Sequence, residues 1–284
     1  MAKRKNELLL VTPFIMLLFG LIAAGISTTS HTIDYLAASM TRVKHPTKPD
    51  FSAYDAFLHN CVKQINGANR VDYQKVKGDG NLGKAMKEIA ETATDKFEND
   101  KDVILFWVNA HNLMAIKNIA DKFPVDSAQR VSQEMQRRLH VVGGKSISVD
   151  KVWREKIVPI LTAEGPASYE KENILYLLTR GTLSEPAITD HAVTAETMEA
   201  DEEGNILRFV SNPKNVLINE KGDQFYISSW FQKHRNVLGI KHIDLYDYVY
   251  SLLPKNLQRE NGLYCQRGSN PTIDRRINDV SVKE

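Results

Sequence analysis

The pattern of apolar residues is strongest between positions 102 and 124, where it predicts one long buried helix. The segment Asp102–Pro124 contains two apolar runs separated by a short polar interruption. Asn99 or Asp100 can cap its start, and Pro124 ends it. A helix that is apolar on most of its surface is typical of a protein core. We therefore expect the rest of the fold to pack around this helix.

Three polar residues interrupt the apolar pattern of the predicted central helix. Asn109 and Asn112 are three positions apart and share a face with apolar residues, so they are predicted to be buried together. His111 points toward the side that contains Asn118 and Lys122, and it is predicted to be partly solvated. Unpaired buried amides cost on the order of 1–3 kcal/mol each, so the two asparagines should bind neighbouring loops.

Shorter periodic segments predict the other elements of the fold. Alternating residues on either side of Gly143–Gly144 predict a β-hairpin, and Asn215–Ile218 with Gln224–Ser228 predict a second one. The predicted helices are Phe51–Ile65, Asn81–Thr92, Ser127–Leu139, Lys151–Leu161, Glu170–Arg180, Thr194–Asn212, Trp230–Val237 and Asp244–Leu253. With no internal repeat, residues 51–284 are predicted to form a single, mostly helical α+β domain with two short β-hairpins.

The N-terminal segment predicts a membrane anchor. Residues 1–7 are basic, and Leu8–Ile26 follows with 19 residues that include no charge, which is long enough to form a transmembrane helix. Residues 27–50 are then a juxtamembrane tether, and the globular domain lies on the extracytoplasmic side, periplasmic or extracellular. Ala23-Ala24-Gly25 provides small residues for cleavage, so secretion after removal of a signal peptide is the alternative.

The charge balance and the cysteine content restrict the partners, metals and cofactors that we expect the chain to bind. The net charge is +2, and the chain beyond residue 7 contains 34 basic and 34 acidic residues, so we expect no nucleic-acid partner. Cys61 and Cys265 form no metal-binding spacing, and no phosphate-loop or dinucleotide motif is present, so neither a metal nor a cofactor is predicted. The two cysteines can form one long-range disulfide or remain separate thiols.

Seven different short motifs follow one another along the chain in a recognisable order. They are Val71-Asp72-Tyr73, Phe106–Asn112, Lys145–Asp150, Ser184–Pro186, Arg208–Val210, Ile227–Phe231 and Ile273–Asp279. Together they resemble the family catalogued as domain of unknown function 547, over residues 51–279. The first two motifs and the order of the set are its most specific features.

Four positions depart from the pattern that the resemblance implies. Trp153 stands where the family usually has an acidic residue, and Leu175 stands where it usually has a histidine. Glu185 replaces a cysteine beside the proline, and His111 replaces a tyrosine. A hydrolase that used cysteine, histidine and an acid or amide would therefore lack most of its set here, although Asn109 and Asn112 remain.

Two functions follow from these observations. The first is a membrane-tethered, non-catalytic module that binds a protein or a small ligand. The alternative is a thiol or acyl hydrolase, similar to cysteine proteases and in part degenerate. A nucleophile then needs a base and an orienting group within hydrogen-bonding reach. The candidates are Cys265 or Ser228 as nucleophile, His111 or His234 as base, and Asn109 or Asn112 as orienting group.

Overall fold

The structure, a computed structural model, describes residues 38–219, 224–240, 245–258, 266–270 and 275–282. Helices joined by short antiparallel strand pairs form the domain, as the sequence predicts for its fold class. In these ranges, no helix is both long and apolar enough to cross a bilayer. The predicted anchor Leu8–Ile26 lies outside the described residues and stays a prediction.

The central helix, Asp100–Lys122, is much longer than every other element of the described chain. The remaining α-helices are Ser52–Cys61, Tyr73–Val76, Gly80–Glu91, Ser132–Arg137, Val149–Val152, Val158–Thr162, Met198–Ser211, Ser229–His234 and Leu245–Ser251. Tighter 3-10 turns occur at Ala128–Val131 and Asn173–Leu177, and a π-helical turn at Trp153–Ile157 joins two short helices.

The strands form three small sheets. They are β1 (Val62–Ile65), β2 (Ala68–Val71), β3 (His140–Val142), β4 (Lys145–Ile147), β5 (Val216–Ile218), β6 (Gln224–Ser228) and β7 (Gln266–Asn270). The pairs β1–β2, β3–β4 and β5–β6 are antiparallel, and β7 is parallel to β6. The structure thus confirms the two predicted hairpins and adds the hairpin formed by β1 and β2.

The central helix passes through the core, as its apolar pattern predicts. The Asn99 side chain caps its start by accepting a hydrogen bond from the Asp102 amide at 2.7 Å. Phe123 is extended and precedes Pro124, which ends the helix. Residues from Ile104 to Ala120 are buried on almost every face. The helix therefore contacts other elements all around its axis.

Asn109 and Asn112 bind the backbone of two separate loops. Asn109 donates to the carbonyl oxygen of Val193 at 2.8 Å and accepts from the Val193 amide at 3.2 Å. Asn112 donates to the carbonyl oxygen of Leu177 at 2.8 Å and accepts from the Thr179 amide at 3.0 Å. Both side chains are buried, which confirms the prediction that they tie neighbouring loops to the helix.

The motif Val71-Asp72-Tyr73 and the C-terminal motif that ends at Asp279 meet in the buried part of the domain. The Tyr73 hydroxyl donates to Asn278 Oδ1 at 2.9 Å, and the Tyr73 amide donates to Asp279 Oδ2 at 3.1 Å. The Asn278 amide donates to the carbonyl oxygen of Gly181 at 2.9 Å. The C-terminal segment therefore holds the start of the domain and the loop after Thr179 together.

Two helix predictions were wrong in extent, each for a local reason. The helix predicted over Phe51–Ile65 ends at Cys61, because Asn66 and Gly67 both have positive φ and form the turn between β1 and β2. The helix predicted over Glu170–Arg180 is only the 3-10 turn Asn173–Leu177. There the backbone beyond Leu177 is extended and binds Asn112 instead of continuing the helix.

Other predicted boundaries shift by smaller amounts. Val71-Asp72-Tyr73 leads directly into a helical turn, and the helix predicted over Thr194–Asn212 begins at Met198 and ends at Ser211. Part of the predicted tether also packs against the domain. The amide of Lys44 donates to the carbonyl oxygen of Glu91 at 2.6 Å, and that of Ala93 donates to the carbonyl oxygen of Lys44 at 3.0 Å.

Replacing Asn109 or Asn112 by alanine should destabilise the fold by about 2–4 kcal/mol. Each change leaves one carbonyl and one amide of a buried loop without a partner, at roughly 1–3 kcal/mol per group. Urea melts of the full-length chain measure this, with Asn236→Ala as the control because Asn236 is exposed. Unchanged midpoints for both variants would contradict the proposed role of the two side chains.

Candidate functional site

A cavity of about 170 Å³ lies beside the central helix at His111. We call it the His111 cavity. Its apolar lining residues are Trp153, Leu175, Leu178 and Trp230, and its polar ones are His111, Asp150, Arg154, Arg180, Glu185, Lys233 and His234. The site therefore combines two indole rings with two imidazoles, two carboxyl groups and three cationic side chains.

His111 is buried, which corrects the prediction that it is partly solvated. Only 3% of the residue is exposed, and the neighbouring Asn118 is completely buried, so this side of the helix is enclosed by other elements. Asn118 Oδ1 lies 2.8 Å from His140 Nε2. The side of the helix that is predicted to be solvated therefore packs against another part of the chain. Helix periodicity gives the direction of a side chain but not what covers it.

The protonation state of His111 follows from its neighbours. Its Nδ1 lies 3.2 Å from Asn112 Oδ1, an oxygen that can only accept, so Nδ1 bears the hydrogen. Burial lowers the pKa of His111 to about 4, and the positive charge of Arg180 acts in the same direction. The imidazole is therefore neutral near pH 7, with Nε2 unprotonated and able to accept a hydrogen bond.

His234 is the second neutral imidazole of the cavity. Its Nδ1 donates to the carbonyl oxygen of Trp230 at 2.8 Å, and its ring lies 4.5 Å from the Trp230 ring, centroid to centroid. Burial lowers its pKa to about 4, although the bond to Trp230 opposes this shift. Its Nε2 is consequently also available as an acceptor.

An ion pair and a buried carboxyl group fix the polar wall of the cavity. Arg180 contacts Asp150, with 2.6 Å between a guanidinium nitrogen and Oδ1, and its backbone amide donates to Glu185 Oε2 at 2.7 Å. Burial raises the pKa of Glu185, against the opposing effect of Arg180. The lining thus places three cationic side chains against two carboxyl groups.

The position of Arg180 depends on the glycine that follows it. Gly181 has a φ of 82°, and a Cβ atom there would overlap Ile119 of the central helix. The loop can thus approach the helix closely only with glycine at this position. Together with the bonds from Asn112 to Leu177 and Thr179, this contact aims Arg180 at Asp150.

The other predicted site residues lie elsewhere. Ser228 is buried and caps the next helix, with its hydroxyl oxygen 3.2 Å from the Trp230 amide. Cys61 is a completely buried free thiol, and burial raises its pKa to about 12, which makes it a poor nucleophile. Cys265 lies outside the described residues. Asn109 and Asn112 bind loop backbone, and of the two only Asn112 contacts a lining residue, His111.

Several lining residues were not singled out from the sequence. Asp150 and Trp230 belong to motifs of the family resemblance, but no sequence pattern assigns their side chains to a site. Arg180 and Lys233 have no local signal, because isolated basic residues are ordinary on protein surfaces. Their role depends on which loop reaches the central helix.

Comparison with known proteins gives one match. Residues 96–210 match a protein-family model described as "Protein of unknown function, DUF547". The resemblance to this family is confirmed. Neither a curated protein nor a solved structure matches the chain.

The four departures from the DUF547 pattern all lie in one place. His111, Trp153, Leu175 and Glu185 each line the His111 cavity, and each falls within the matched residues 96–210. The positions at which the resemblance implies an acid, a histidine and a cysteine therefore converge on this cavity. Here they supply an indole, an isobutyl group and a carboxyl group, and the described lining contains neither a thiol nor a hydroxyl group.

The two neutral histidines should make the fold sensitive to acid. Their folded-state pKa of about 4 lies below the ordinary histidine pKa of 6.5, so the unfolded chain binds more protons between these values and stability falls as the pH drops. We expect a loss on the order of 1–2 kcal/mol per histidine between pH 6.5 and 5.

Urea melts across this pH range test the expectation. His111→Asn and His234→Asn keep a donor near the Nδ1 position and should each reduce the slope of the pH dependence, and the buried His140, whose pKa is also about 4, should maintain part of it. His59→Asn is the control, because the His59 side chain is 63% exposed. The assignment fails if the double variant keeps the slope of the unmodified chain.

Proposed function

We propose that the chain is a membrane-tethered, extracytoplasmic module that binds a small anionic molecule in the His111 cavity without covalent catalysis. The main support is the composition of that cavity. Its lining combines an excess of cationic groups with two indole rings, and its described part contains no nucleophilic thiol or hydroxyl group.

The size and polarity of the cavity restrict the ligand. A protein cavity of roughly 150 Å³ accommodates benzene, so about 170 Å³ fits one ring or a short branched chain. Trp153 and Trp230 favour an apolar or aromatic body, and Arg180 favours a carboxylate, which its planar guanidinium can bind in two-point fashion. The Nε2 atoms of His111 and His234 can accept a hydrogen bond from a hydroxyl group. A small aromatic or hydroxylated carboxylate satisfies all three requirements.

Benzoate and 4-hydroxybenzoate are suitable probes, with benzyl alcohol as the uncharged control. Binding to the full-length chain should quench tryptophan fluorescence, and Arg180→Gln should weaken it about tenfold or more through loss of a two-point guanidinium–carboxylate contact. Lys233→Gln, at an exposed position, should weaken it about threefold, and Arg130→Gln, whose side chain is 70% exposed and distant in sequence, should have no effect. Equal binding of benzyl alcohol, or full affinity in both cavity variants, would reject an anion site.

The hydrolase alternative is supported by the two unprotonated Nε2 atoms, which can act as bases, but its nucleophile would have to be Cys265. A thiol-reactive probe on the folded chain distinguishes the two proposals, since buried Cys61 should not react. If Cys265 is labelled and Cys265→Ser abolishes hydrolysis of a simple ester or thioester, the non-catalytic proposal is wrong. Unchanged background hydrolysis in Cys265→Ser supports it.

The membrane tether rests on the uncharged segment Leu8–Ile26 and on the basic residues that precede it. The full-length chain should remain with membranes after alkaline extraction, and protease added outside the cytoplasm should digest the domain. Recovery of a soluble product that begins just after Ala23-Ala24-Gly25 would show a cleaved signal peptide instead.

A further inference from the structure

A second cavity, of about 430 Å³, is acidic where the His111 cavity is basic. It lies between the start of the central helix, the segment 167–173 and the helix Met198–Ser211. Its charged lining residues are Lys101, Glu170, Glu199, Glu202 and Glu203, so four carboxyl groups face one ammonium group.

Glu202 is the unusual member of this set. It is only 5% exposed, and its Oε1 atom is buried without a hydrogen-bond partner. The Asn173 side chain lies within hydrogen-bonding reach of the carboxyl group, and Lys101 is the basic residue whose charge acts on it. A buried carboxylate oxygen without a partner is costly, and a cation beside it would remove that cost.

The neighbouring carboxylates have no evident role in folding. Glu199, Glu202 and Glu203 occupy positions i, i+3 and i+4 of one helix, where like charges destabilise the helix. Glu199 lies in the first turn, where the helix dipole stabilises an acidic residue, but Glu202 and Glu203 lie beyond it. A cation bound between these carboxylates would relieve their repulsion.

The chemistry of the lining favours an organic cation. No three acidic or histidine side chains in the described part of the chain are arranged as metal ligands. Met198 and Tyr169 add apolar surface, and an aromatic ring can also attract an ammonium group. An ammonium group provides three donors for separated carboxylates, and an aliphatic chain can lie along Met198 and Tyr169.

We propose that this acidic cavity is a binding site for a small aliphatic amine, whose ammonium group lies against Glu202 and whose hydrocarbon chain packs on Met198 and Tyr169. The site uses none of the lining residues of the His111 cavity. Its test is therefore independent of the function proposed above.

Calorimetric titration of the full-length chain with 1,5-diaminopentane tests the proposal, with 1,5-pentanediol as the matched uncharged probe. The diamine should bind and the diol should not. Glu202→Gln should weaken binding at least tenfold, and Glu203→Gln about threefold, because Glu203 is exposed. Glu164→Gln, at an exposed loop position outside the cavity, is the control and should leave binding unchanged.

Three results would overturn the proposal. They are binding of the diol as tightly as the diamine, full affinity in Glu202→Gln, and displacement of the diamine by stoichiometric Mg²⁺ or Ca²⁺. Circular dichroism of Glu202→Gln shows whether a loss of binding in this variant is caused by a loss of folding. This variant removes a buried charge and should fold at least as well as the unmodified chain.

Discussion

The side-chain amide of Asn112 is the contact on which the site and much of the fold depend. Its nitrogen donates to Leu177, and its oxygen accepts from the Thr179 amide and from His111. One carboxamide thus fixes the loop that leads to Arg180 and also decides which nitrogen of His111 bears the hydrogen. The same hydrogen bonds therefore hold the fold together and shape the His111 cavity.

Burial then determines the charges in the His111 cavity. It lowers the pKa of His111 and His234 and raises the pKa of Glu185, and Arg180 forms an ion pair with Asp150. Leu175 and Glu185 stand where the DUF547 pattern implies a histidine and a cysteine, and both line the cavity. The described lining therefore offers charged and aromatic side chains in place of a thiol.

The sequence was informative wherever the signal is local. The apolar pattern of the central helix, its Asn99 cap and the Gly143–Gly144 turn depend on neighbouring residues, and the structure confirms all three. The Asn66-Gly67 turn has an equally local signal, but apolar residues at helical spacing reach Ile65 just before it, so the pattern predicts helix where the chain forms β1. The helix expected over Glu170–Arg180 failed because a distant side chain, Asn112, binds its backbone.

Features that depend on tertiary contacts had no counterpart in the sequence pattern. The solvation predicted for His111 was wrong because the exposure of a helix face depends on the loops that cover it. Neither Arg180 nor Glu202 has a sequence signal that distinguishes it from an ordinary surface charge. Only the structure shows that each lines a cavity.

The 3-10 turn Asn173–Leu177 lies between the two cavities and connects their geometry. Leu175 lines the His111 cavity, and Asn173 lines the acidic one. The carbonyl oxygens of Tyr176 and Leu177 accept hydrogen bonds from Asn205 and Asn112, which belong to different helices. Because buried amides hold this turn on both sides, the geometry of both cavities depends on the same core packing.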